Sequence, residues 1–132
     1  MLVFGTVNPI GFDENTYSGC YLTKLDMESM SKKMRGVDVK VEHMGKSIGR
    51  VESCWLFDGR MDVVFNVDES LLDGAFAKEF ISQGLCKELS LGYKMQMECS
   101  ASGKLVAKNK EVVEVSVVRK GARPNCNIRG WS

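Results

Sequence analysis

The sequence predicts a mainly β chain carrying two short helices, on three observations. Apolar residues alternate with polar ones in several separate runs, the pattern of strands that bury one face. Two other stretches space their apolar residues three or four apart, open on a capping pattern and close on glycine, as short helices do. Turn signals divide the runs; Asp58-Gly59 is the strongest, a dipeptide favoured in two-residue hairpin turns.

Taken in order, Leu2 to Val7 reads as a short strand stopped by Asn8-Pro9-Ile10-Gly11. Thr23-Lys24-Leu25-Asp26 has capping-box form, Met27, Met30 and Met34 share a helical face, and Gly36 ends a helix expected near 24–35. Val37, Val39, Val41 and His43 then alternate, so a strand here would send all four side chains to one face. Arg50 to Phe57 and Arg60 to Val67 form a hairpin around Asp58-Gly59. Ser70-Leu71-Leu72-Asp73 opens the second helix, with Leu72, Phe76 and Phe80 as its apolar stripe and Gly84 as its stop.

In Glu88 to Met97, Leu89, Leu91, Tyr93, Met95 and Met97 alternate with Ser90, Gly92, Lys94 and Gln96, which turns Ser90 away from the apolar row. After a turn at Ala101-Ser102-Gly103-Lys104 comes the β-branched run Glu111 to Val118. It places Val113, Val115 and Val117 on one face and Glu114 and Ser116 on the other. The turn-rich segment from Arg119 to Asn127 follows as a loop, and no repeat or low-complexity linker interrupts the chain.

A length of 132 residues fits a single domain, 1–132, able to bury a core without disulfides or a structural metal. Eighteen basic against seventeen acidic residues leave almost no net charge, which argues against nucleic acid as the main partner. The cluster Lys32-Lys33-Met34-Arg35 reads as the solvated end of the first helix. Cys20, Cys54, Cys86, Cys99 and Cys126 lack paired CxxC spacing, so neither a disulfide framework nor a zinc ribbon is expected; a reducing, intracellular setting is the simpler reading. No basic leader precedes the opening Met-Leu-Val-Phe, and no apolar run approaches the roughly 18 residues that span a bilayer, so a soluble protein without a membrane partner is expected.

His43 is the chain's only histidine, so imidazole acid–base chemistry near neutral pH can come from nowhere else. To activate a hydroxyl it needs a serine on one side and an orienting partner on the other, and Ser90 and Glu114 are the candidates. Each also has an ordinary reading. His43 could be a hydrogen-bonded rim residue, Ser90 a solvent-facing strand hydroxyl, and Glu114 a charge that keeps a valine-rich edge soluble.

Three motifs in order carry a resemblance that spans most of the chain, from about Val37 to Ile128. His43-Met-Gly-Lys-Ser-Ile-Gly-Arg-Val51 resembles the histidine motif of the herpesvirus assemblin and tailed-phage prohead protease group. Lys87-Glu-Leu-Ser-Leu-Gly-Tyr93 resembles the segment that carries that group's nucleophilic serine. Val113-Glu-Val-Ser-Val-Val-Arg-Lys-Gly-Ala-Arg123 is similar to the strand and loop that hold its third catalytic residue and its oxyanion-stabilising backbone. In assemblins the third residue is a second histidine. The aligned position here is Glu114, as in phage-like members, which tend to carry an acid.

The resemblance implies an assemblin-like, mostly antiparallel β-barrel and a cofactor-free serine endopeptidase with His43, Ser90 and Glu114 as its triad. Gly121, Ala122 and Arg123 would bind the oxyanion, with Ala122 N–H the leading donor and Pro124 unable to donate. The implied substrate is a viral scaffold or the scaffold-like extension of a capsid protein, cut inside the procapsid in the host cytoplasm or nucleus. Homodimerisation is a family trait, but the chain continues only briefly after Glu114, where assemblins add several helices that include the dimer helix. The alternative is a noncatalytic β-barrel interaction module in virion assembly. Metal hydrolase chemistry ranks below both, since one histidine and scattered acids form no compact ligand motif.

Overall fold

The structure, a computed structural model, describes residues 1–9, 22–103, 105–123 and 125–132. Its elements run β1 (Leu2–Asn8), α1 (Lys24–Lys33), β2 (Asp38–Val41), β3 (Met44–Phe57), β4 (Arg60–Val67), α2 (Leu72–Ser82), β5 (Glu88–Cys99), β6 (Leu105–Val118) and β7 (Ile128–Trp131). Ile10, Gly11, Cys20, Lys104 and Pro124, which figured in the sequence reading, lie outside the described residues.

The seven strands form one mixed sheet in the order β5-β6-β2-β3-β4-β1-β7. Every ladder is antiparallel except that of β2 with β6. A mainly β chain with two helices is therefore what forms, but the sheet is not closed into the expected barrel. Between β6 and β7 the described residues, 119–123 and 125–127, form no strand. Among the described residues the two edges of the sheet are joined by one isolated bridge, between Glu88 of β5 and Asn127 just ahead of β7, where Leu89 N–H donates to Cys126 O and Ile128 N–H donates to Lys87 O.

Helix α1 forms as its sequence dictates. The Thr23 hydroxyl accepts from Asp26 N–H at 3.0 Å, and the Asp26 carboxylate accepts from Thr23 N–H at 2.9 Å, completing the capping box. Met27, Met30 and Met34 are buried against the sheet, Gly36 follows in left-handed conformation, and Lys32 and Lys33 end the helix in solvent. Lys110 reaches Asp26 at 2.7 Å and fastens the helix to β6.

Helix α2 forms in the expected place but buries a different face. Leu71, not Ser70, takes the N-cap position and provides no side-chain cap; the Ser70 hydroxyl donates to Asp68 Oδ1 instead. Gly74, Ala77 and Ile81 turn inward; of the expected stripe Phe80 packs against the core's edge, whereas Leu72 is 73% and Phe76 51% exposed. One cause is close approach: a Cβ at Gly74 would stand 1.9 Å from the Asp68 carbonyl oxygen, so the first turn of this face has room only for glycine.

Two further expectations fail for local reasons, and one strand was not anticipated. β2 ends at Val41, so His43 does not continue the valine row. Val113 does not share the buried face of Val115 and Val117, because the β5–β6 register steps from Gly92↔Glu114 to Tyr93↔Val112 and leaves Val113 in a bulge, 46% exposed. The four-residue strand β7, paired with β1, is too short to announce itself by alternation. Among the described residues no helix is long and apolar enough to cross a membrane.

The reassigned face of α2 has a measurable consequence. Ile81→Ala should lower stability by about 2–4 kcal/mol through cavity formation, whereas Phe76→Ser should change it by less than about 1 kcal/mol. Urea unfolding midpoints of the two variants read this directly, and the reverse order of effects would contradict the burial assigned here.

Candidate active site

His43 stands on a tight turn. β2 and β3 pair as Val41↔Met44, which leaves Glu42 and His43 as the two residues of the reversal. Both are left-handed, with φ of 51° and 61°, the geometry a two-residue hairpin turn needs and one that glycine or asparagine usually supplies. For two residues with full side chains this conformation costs on the order of 1 kcal/mol each, so something must hold it. β6 does: Glu42 N–H donates to Val117 O and His43 N–H donates to the Ser116 hydroxyl, each at 3.0 Å. The Glu42 carboxylate accepts from Arg119 N–H at 2.8 Å and anchors the outer side of the turn.

Strands β5 and β6 present the other two candidates on one shared face. Directly opposed residues in an antiparallel ladder point the same way, and the register pairs Ser90 with Ser116 and Gly92 with Glu114. Leu89 and Leu91 go to the core on the opposite face, as the alternation predicts. The imidazole comes down over this group. His43 Nε2 lies 2.8 Å from Ser90 Oγ and Nδ1 lies 2.5 Å from Glu114 Oε1, while the Ser116 hydroxyl donates to Glu114 Oε2 at 2.6 Å. A carboxylate can only accept, so the geometry suits the tautomer with its proton on Nδ1, in which Nε2 accepts from the serine hydroxyl.

The structure thus brings together three side chains that are 71 and 47 positions apart along the chain from His43 to Glu114 and to Ser90. Ser90 and Glu114 are 9% and 7% exposed, so neither is a solvent-facing strand residue; His43 is half-exposed at the rim of the cleft. Gly92 makes the contact sterically feasible. A Cβ built there would stand 2.1 Å from Glu114 Oε1, the oxygen that meets the imidazole, so the carboxylate occupies the space a side chain would fill.

The loop 119–123 completes one wall of a cleft of about 600 Å³ that also contains His43 and Ser90. The three residues expected to bind an oxyanion line it but are not equivalent. Gly121 N–H donates to Glu88 Oε1 at 3.0 Å, so its amide is already engaged and the residue is not a donor to a ligand in this structure. Gly121 instead permits close approach, since a Cβ there would stand 2.9 Å from Leu89 O. No described residue accepts Ala122 N–H. The Arg123 guanidinium is buried, donates to Tyr93 Oη at 2.9 Å and stacks near that ring at 5.3 Å.

Cys126, whose carbonyl accepts from Leu89 N–H beside Ser90, carries a buried thiol. Burial pushes the Cys126 thiol up to about 12, with Glu88 adding to the rise and Arg123 opposing it, so it stays protonated at neutral pH. Among the described residues no group of His, Cys, Asp and Glu side chains is arranged to hold a metal ion.

Sequence reasoning missed three contributors. Ser116 was placed on the face of Glu114 without a role; its position two residues along the same strand was the available signal. Gly92 could have been found as a glycine inside a strand, a common mark of close approach. Glu88, which fixes the loop through Gly121, left no signal in the pattern. No protein-family model and no curated protein matches the chain.

Gly92→Ala should displace the Glu114 carboxylate from the imidazole. Because His43 is the only histidine, its Nδ1–H proton can be followed by NMR without assignment ambiguity. The variant should weaken or lose the hydrogen-bonded signal seen in the wild type, and an unchanged signal would contradict the steric account.

Proposed function

We propose that the protein is a serine endopeptidase that cleaves scaffold or scaffold-like protein segments during viral procapsid maturation, through His43, Ser90 and Glu114. The observation that supports this best is the unbroken line of hydrogen bonds from Ser90 Oγ through the imidazole to Glu114, on the rim of an open cleft. The likeness of the three motifs to the assemblin and prohead protease group supplies the substrate class, the procapsid setting and homodimerisation as parts of the same reading. A curled sheet related to the assemblin barrel belongs to it as well.

A serine hydroxyl is a poor nucleophile at neutral pH until a base takes its proton. In this reading Ser90 Oγ attacks the scissile carbonyl carbon as His43 Nε2 accepts the proton, forming a tetrahedral adduct. Glu114 holds the imidazole in the tautomer that leaves Nε2 open and stabilises the imidazolium that forms. The oxyanion is met by Ala122 N–H, with the Arg123 guanidinium adding positive charge at that side of the cleft. Collapse breaks the C–N bond, and His43 returns the proton to the departing amine. Water then hydrolyses the acyl-enzyme with the same base.

The test is cleavage of the scaffold or capsid protein encoded with this chain. Wild type should release defined fragments, Ser90→Ala should release none, and Glu114→Gln should be slower by on the order of 10²–10⁴. Ala122→Pro, which deletes one amide proton, should cost on the order of 10²–10³ in turnover while the protein remains folded. Stable binding of the same protein without cleavage, unaffected by Ser90→Ala, would instead identify a noncatalytic assembly module.

A further inference from the structure

We infer that Ser116 is a positioning residue that sets the imidazole and the carboxylate against each other from one fixed point. The inference deepens the endopeptidase reading and rests on it for its kinetic part alone. Ser116 has no exposed surface, and both capacities of its hydroxyl are used on members of the same site. The oxygen accepts His43 N–H at 3.0 Å, and the proton goes to Glu114 Oε2 at 2.6 Å. No other rotor setting fits, because a backbone N–H can only donate and a carboxylate can only accept.

The consequence is mechanical. Glu114 contacts the imidazole through Oε1 alone, and the terminal torsion of a glutamate is soft, so a single contact leaves the carboxylate plane free to swing. The Ser116 bond to Oε2 removes that freedom. The same hydroxyl holds the backbone of the residue whose side chain Glu114 must meet, in a turn whose left-handed φ values need support. Cross-strand pairing adds a third relation: Ser116 is the register partner of Ser90, so the hydroxyl that fixes the base and acid lies directly beside the hydroxyl they act upon. A shift at this point is transmitted to both hydrogen bonds of the imidazole.

Ser116→Ala removes the hydroxyl with little change in volume, and Ser116→Thr restores it. In the alanine variant the His43 Nδ1–H signal should weaken, and kcat on the scaffold substrate should fall on the order of 10²-fold with KM within about twofold. Ser116→Thr, checked as folded by its urea midpoint, should recover both. Wild-type kcat and an undiminished Nδ1–H signal in Ser116→Ala would overturn the inference, as would a folded threonine variant no better than alanine. If wild type shows no Ser90-dependent cleavage, the endopeptidase reading fails by itself. The Nδ1–H comparison still decides the positioning role, a lost signal supporting it and a retained one refuting it.

Discussion

The parallel pairing of β2 with β6 is the constraint on which the site depends. It aligns Val41 with Val117, so the chain leaving β2 arrives beside the last residues of β6 and must reverse there to begin β3. A reversal within two residues of an antiparallel hairpin demands left-handed backbone, and the positions concerned are Glu42 and His43. The strain is held by hydrogen bonds to Val117 and Ser116, both on β6. The imidazole is therefore delivered by a strained turn to the strand that also carries Glu114, and the energetic cost of the turn is local to where chemistry is expected.

The second half of the geometry is a register effect. Ser90, Gly92, Ser116 and Glu114 form a small square on one face of β5 and β6, with a vacant corner at Gly92 into which the carboxylate leans. A bulge at Val113 follows immediately and turns the rest of the hairpin off this register. Ser90 and Glu114 are thus held on rigid paired strands, which fix side chains more closely than loops can. The loop 119–123 is fastened through Gly121 to Glu88, so this wall of the cleft is tied to the same strand as Ser90.

Two turns of one geometry show what the sequence reveals and what it hides. Asp58-Gly59 has φ of 53° and 81° and was legible, because these residues tolerate the left-handed region. Glu42-His43 has nearly the same backbone and was not, because neither residue prefers it; alternation of the valines extended the strand through the turn instead. Helix α2 was legible in place but only partly in orientation, since Leu72 and Phe76 stay exposed while Gly74, Ala77 and Ile81 meet the core and Phe80 packs at its edge. The candidate side chains themselves were readable, by the histidine inventory and the strand parity of Ser90 and Glu114. Their partners Ser116, Gly92 and Glu88 depend on register and close approach, which a single strand's pattern does not contain.

As proposed, the Ser90 hydroxyl is activated by His43 in the folded protein. The most direct measurement is the site of covalent attachment of a serine-reactive phosphonate, located by peptide mapping on native wild type and on His43→Ala. The account predicts one adduct on Ser90 in wild type and none in His43→Ala or in the unfolded chain. Labelling at another serine, or equal labelling of Ser90 without His43, would contradict it.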